Sequence, residues 1–264
     1  MCVAGAMLFP GLAAFVVRRW VRREGFGDAG LRMGPGRLYV QAWALMPLVF
    51  LAVYILTAVL VAAPDFSLRS FCVRYGIPLE KLPSHPWLLL LGVGTGTLTF
   101  SPFVNAIPAF GEEFGWRGYL LPRLLPLGPR RALLLSSLVW GLWHVPLVLI
   151  GHGQYTNRWA GAAVFTVMVM GFGVYVGYLR LASRSSVLAA FAHGAFNAQA
   201  YGAWGAVFPA SGDLLGGITG IIGVAVVWGV ALWVLTHGVP NLRNDPKSEI
   251  YRDAGPQAIT RRCT

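Results

Sequence analysis

The chain has 264 residues, 56% of them hydrophobic and only 12% charged, with a formal net charge of +11. Soluble domains carry about 25% charged residues, so this composition excludes a water-soluble globular protein. Its three cysteines, Cys2, Cys72 and Cys263, have neither metal-ligand spacing nor the pattern of a disulfide framework and read as bystanders.

A spanning helix needs roughly 20 mostly apolar residues, and uncharged runs of about that length succeed one another along the chain. The first, Met1 to Val17, has no basic residue ahead of it and Arg18, Arg19, Arg22 and Arg23 close behind. A cleavable signal peptide has the opposite polarity, so this run reads as a retained first helix with its amino terminus outside. It is the shortest of the set and carries Pro10-Gly11. Further runs extend from Leu38 to Ala63, Pro86 to Gly111, Ala132 to Asn157, Trp159 to Leu179, Ser185 to Gly212 and Leu214 to Leu242. The expected fold is an all-α transmembrane bundle of seven helices, residues 1–264 forming a single polytopic membrane domain. Glycines such as Gly92, Gly94, Gly96, Gly171 and Gly173 are expected to let helices pack closely. Neither a strand nor a Lys-Ser/Thr pair accompanies them, as a phosphate loop would require.

The connections at 18–37, 111–131, 180–184 and 238–264 carry six, four, two and five basic residues, against four (Arg69, Arg74, Lys81 and Arg158) on the other side. Short cytoplasmic loops collect Lys and Arg, so the carboxyl terminus is expected in the cytoplasm. The positive charge then serves orientation and contact with anionic lipid, and nucleic acid is not needed as a partner. The segment 238–264 lacks helical periodicity and reads as a disordered tail. The Ala-, Gly- and Arg-rich composition suits a bacterial plasma-membrane protein.

Three polar patches interrupt this hydrophobic chain. Ionisable side chains at membrane depth cost about 2.5–3.5 kcal/mol each on insertion scales and are rarely kept there without a use. The first patch, Glu112-Glu113-Phe114-Gly115-Trp116-Arg117, follows Pro108 and Gly111, which are expected to break the helix. Glu113 and Arg117 stand four apart in the favourable order for an ion pair, leaving Glu112, turned roughly 100° away on a 3.6-residue helix, free. Taken alone, the patch could be an interfacial salt bridge. The second patch centres on His144, one turn beyond Trp140 and just before Pro146, which should perturb the helix. The third places His193 and Asn197 four apart on one face. One buried histidine is commonly structural; three such patches, read as entering from the same cytoplasmic side, point to a shared site. His85, His152 and His237 have no partner at helical spacing and are left outside it.

These residues resemble the three motifs of the CAAX protease and bacteriocin-processing (CPBP, or Abi) family, which includes the type II CAAX prenyl endopeptidases. Its Glu-Glu-x-x-x-Arg motif matches Glu112, Glu113 and Arg117. Its aromatic-x-x-x-His motif matches Trp140 and His144, with Trp where Phe is more frequent, and His-x-x-x-Asn matches His193 and Asn197. The stretch Arg117-Gly118-Tyr119-Leu120 extends the first. The resemblance covers roughly residues 85–205, the expected catalytic core; family members often have eight membrane helices.

The resemblance implies an intramembrane endopeptidase cutting a membrane-associated or lipidated peptide. Glu112 with His144 would hold and deprotonate a water, His193 and Asn197 would stabilise the oxyanion or orient the carbonyl, and Glu113 with Arg117 would fix Glu112. Family members have been described both as metalloproteases and as metal-independent glutamate proteases. Glu112, His144 and His193 are the candidate ligands for a divalent metal such as zinc, although His-Glu-x-x-His is absent. A transporter, or a non-catalytic immunity or scaffold protein, is the alternative reading.

Overall fold

Backbone polar groups in lipid must be satisfied within the segment that carries them, and the uncharged runs accordingly fold as helices. The computed structural model describes residues 3–209 and 214–239, and no strand occurs among them. Cys2, Cys263 and the tail beyond Val239 lie outside the described residues.

Helix α1 (Phe9–Val16) continues through a π-helical turn, Val17–Arg22. Then come α2 (Gly36–Leu60) and α3 (Pro86–Leu98). Helix α4 (Ser101–Gly115) is extended by the π-helical turn Trp116–Leu120 and by Leu121–Leu124. Helix α5 (Pro129–Trp143) gives way at His144 to the short α6 (Val145–Leu149). The order closes with α7 (Arg158–Ser183), α8 (Ser186–Ala200) and α9 (Ile221–Trp233), the last running on through Val234–Gly238.

Four stretches among the described residues are long and apolar enough to cross a membrane: Gly36–Leu60, Pro129–Leu149, Arg158–Ser183 and Ile221–Gly238. The α3–α4 pair, bent by 52°, makes a fifth if it is taken as one span. The run at 185–212, expected as one long helix, instead forms the 15-residue α8, about 22 Å long at 1.5 Å per residue. Helix α8 is buried almost throughout and packs against α4, α2 and α7, so it owes its apolar composition to protein neighbours as much as to lipid.

The break expected at Pro108–Gly111 lies elsewhere. Helix α4 runs unbroken through Pro108, and the bend falls at Thr99–Phe100, just before Pro102 at the helix start. Proline suits that first turn because its missing N–H has no partner to lose there. Glu112, Glu113 and Arg117 therefore sit deep within one long helix rather than at its entry.

Close approach explains some of the glycines. A Cβ on Gly194 would lie 2.4 Å from the Pro102 carbonyl oxygen and 2.5 Å from the Ala106 nitrogen, so α8 can meet α4 only without a side chain there. Gly92 and Gly94, expected at a helix contact, face open space instead.

The connections gather into two ends. At one, Ser186 N–H donates to the Gly30 carbonyl at 2.8 Å, Arg180 Nη2 to the Asp28 carbonyl at 2.6 Å and Arg130 Nε to the Leu235 carbonyl at 2.7 Å. At the other, Asp65 N–H donates to the Val207 carbonyl at 2.8 Å, Arg74 Nη2 to Gln154 at 3.2 Å and Tyr155 to the Thr219 carbonyl at 2.7 Å. The first end is the arginine-rich one. Arg18 and Arg180, read from sequence as lipid-facing charges, are each only 1% exposed. Arg18 reaches Asp28 and the Gly25 carbonyl at 2.7 Å and the Gly118 carbonyl at 2.9 Å. The 23–35 connection is thus bound into the bundle as a plug at its basic end.

Candidate active site

Glu113 and Arg117 form the expected i, i+4 pair, Arg117 Nη1 donating to Glu113 Oε1 at 3.0 Å. Both residues are 0% exposed. Arg117 Nη2 also donates to the Gly173 carbonyl at 3.1 Å, and a Cβ on Gly173 would crowd that nitrogen at 3.0 Å. Glu113 Oε1 receives a second donor, His193 Nδ1, at 3.0 Å. The ion pair on α4 thereby fixes the imidazole on α8.

Glu112, the neighbour on α4, turns to the other side. The indole N–H of Trp140 donates to its Oε2. The same indole stacks beneath the Arg117 guanidinium, 4.3 Å from the ring centre, and meets the His193 ring edge-on at 5.1 Å. Trp140 is thus the hub between the two glutamates and the two histidines, being 2% exposed. The more frequent Phe at this position could not make this contact, since no phenyl ring can donate a hydrogen bond to the carboxylate. Hydrogen bonds to charged groups contribute about 1.5–3 kcal/mol. If that contact orients Glu112 for reaction, Trp140→Phe should lower turnover by about 10–100-fold at unchanged KM. Turnover at the unaltered rate would contradict that role.

Helix α5 breaks at His144, as Pro146 suggests. The His144 Nδ1 lies 2.8 Å from the Trp140 carbonyl. A carbonyl only accepts, so Nδ1 carries the proton and Nε2 is the free acceptor. His193 Nδ1 is likewise committed, to Glu113 Oε1. His193 and Asn197 share one face of α8.

Glu112, Trp140, His144, His193 and Asn197 all line one cavity of about 330 Å³. Of the six residues selected from sequence, Glu112, His144, His193 and Asn197 border it, while Glu113 and Arg117 stand behind them in contact with His193 and Trp140. A larger cavity of about 540 Å³ between α2, α3 and residues 199–208 shares none of these groups and is almost wholly apolar.

Two lining residues escaped the sequence reading. Tyr201 continues the series His193, Asn197 at the same four-residue step, a signal available in the sequence. His152, set aside as a loop residue, lines the cavity and meets Phe165 edge-on at 5.6 Å. No periodicity links it to His144, because the chain between them bends at Pro146 and again at Gly151, which is at positive φ. Burial pushes the His152 pKa down and the nearby His144 acts the same way, so the ring is neutral at pH 7.

Trp143, Pro146, Ile150 and Tyr201 are the exposed lining residues of the cavity. Among the described residues, no three His, Cys, Asp or Glu side chains form a set able to hold a metal ion. Glu112, His144 and His193 thus do not fit a three-ligand centre as placed.

Residues 83–199 match the family model described as type II CAAX prenyl endopeptidase Rce1-like. The family resemblance carried by the three motifs therefore holds over the helices that build this pocket. No curated protein matches the chain.

Proposed function

We propose that the chain, with its Rce1-like region at residues 83–199, is an intramembrane endopeptidase that hydrolyses a peptide bond in a membrane-associated or lipidated peptide. The observation supporting this most is the convergence of Glu112, His144, His193 and Asn197 on one cavity.

A water between Glu112 Oε1 and His144 Nε2 would donate one hydrogen bond to each acceptor, turning a lone pair toward the substrate carbonyl. As that oxygen attacks, Glu112 takes its proton and the carbon–oxygen bond forms. The developing oxyanion needs a donor. The Asn197 carboxamide carries N–H donors that can supply it, beside His193 on the same face of α8. When the carbon–nitrogen bond breaks, Glu112 returns the proton to the leaving amine. Glu113 and Arg117 hold His193 and Trp140 in place.

No step above is routed through a metal. Cleavage by the purified protein is expected to persist after exhaustive chelation, with metal content measured on the same sample. A loss of rate that tracks metal removal and returns on adding zinc would contradict the scheme.

In orientation, the reading keeps the amino terminus outside and the carboxyl terminus in the cytoplasm, with α1 and α8 completing the bundle as the sixth and seventh membrane-embedded helices. The experiment that tests the function compares membrane peptides in cells lacking the protein, restored with it, or restored with Glu112→Gln. Uncut peptides should accumulate equally in the first and third. If Glu112→Gln restores the cut products fully, the proposal fails and a non-catalytic immunity or scaffold role takes its place.

A further inference from the structure

The catalytic cavity is lined partly by residues outside the 83–199 region that matches the family model. Ala6 and Met7, immediately before α1, share its wall with Glu112 and His144. Both are half-buried, and their position follows from how α1 meets α4.

Gly111 and Gly115 stand four apart on α4 and bracket Glu112 and Glu113. Small residues at that spacing let two membrane helices approach until their backbones meet. Here the contact is reciprocal. A Cβ on Gly111 would lie 2.7 Å from the Met7 carbonyl oxygen, and one on Gly115 would lie 2.6 Å from the Pro10 carbonyl carbon. In return, a Cβ on Gly11 would lie 2.5 Å from the Gly111 carbonyl oxygen. Further along the same segment, Ala14 packs with Ala29 and Phe114, and Arg18 donates to the Gly118 carbonyl at 2.9 Å. The amino-terminal segment is therefore held against the turn of α4 that carries Glu112, and the Met7 backbone abuts Gly111, the residue just before it.

Met7 has no group able to move a proton, so what it contributes to the cavity is shape. Its flexible, unbranched thioether fills irregular apolar space and limits what else can occupy that space.

We infer that Met7 sets the size of the substrate residue accepted beside the scissile bond. The amino-terminal segment is then the specificity wall of a site whose catalytic groups lie on α4, on α8 and at the end of α5. The inference rests on the protease reading.

The test uses the peptide that accumulates in Glu112→Gln cells, with the residue on either side of the cut set in turn to alanine or phenylalanine. Purified full-length chains carrying Met7→Ala, Met7→Trp or Phe9→Ala are compared with the parent. At one of the two flanking positions, Met7→Ala should raise kcat/KM for phenylalanine relative to alanine by about tenfold, the low end of what apolar volume discriminates. Met7→Trp should move the ratio the other way. Phe9, exposed on the same segment and outside the cavity, serves as the control, and Phe9→Ala should leave the ratio at the parent value. Ratios unchanged in both Met7 variants, or an equal loss for every peptide, would overturn the inference while the parent still cuts. If the parent chain cuts none of the peptides, the protease reading falls and the wall falls with it.

Discussion

Replacing Glu112 with glutamine is expected to lower cleavage by about 10²–10⁴-fold, the range that a positioned general base contributes. The substitution is nearly isosteric and keeps an acceptor oxygen for the Trp140 indole, so the helices should pack as before. Unfolding temperature in detergent should change little while turnover collapses. Loss of both would mean that the carboxylate holds the fold together, and retention of both would remove Glu112 from the chemistry.

The second large effect belongs to stability. Arg117→Leu leaves Glu113 fully buried, with only His193 against Oε1, while its Oε2 already lacks a partner among the described residues. Breaking one side of a buried ion pair costs about 3–5 kcal/mol, whereas replacing both partners by apolar residues can be nearly neutral. The single variant should therefore unfold at markedly lower denaturant concentration, and Glu113→Leu/Arg117→Leu should recover much of that loss. The double variant should still cleave poorly, because His193 loses the carboxylate that orients it. Equal stability of Arg117→Leu and the parent chain would show that the pair carries no structural weight.

The pairing that sets these two adjacent carboxylates apart, Glu113 with Arg117 and Glu112 turned elsewhere, was legible in the sequence. Four-residue spacing alone pairs Glu113 with Arg117 and His193 with Asn197, because helix periodicity fixes which side chains share a face. What spacing cannot supply is depth. Pro108 and Gly111 look like a helix end, yet α4 runs through them, since surrounding protein can accommodate a proline that would break an isolated helix. Helix count meets a related limit. Composition cannot distinguish a run made apolar by lipid from one made apolar by burial, and α8 belongs largely to the second kind.

Trp140 and His152 mark the other boundary of sequence reasoning. Trp140 was read as one aromatic standing for another, but its indole N–H becomes decisive only when α5 lies against α4. His152 reaches the cavity through a turn whose direction is set by Gly151 and Gly153 at positive φ, a conformation that residue spacing does not encode. The arginines divide in the same way. Their sum reads as an orienting signal, but Arg18 and Arg180 are consumed in binding the 23–35 connection.

The central claim is that side chains far apart in sequence act as one catalytic unit, and a double-mutant cycle on cleavage rate tests it most directly. The substrate would be a peptide found to accumulate in Glu112→Gln cells, and the variants Glu112→Gln, His144→Ala and their combination. Residues that act together are strongly non-additive in rate, so the combined variant should be no slower than the slower single variant. If the two losses multiply instead, Glu112 and His144 act independently, and the shared water between them must be abandoned.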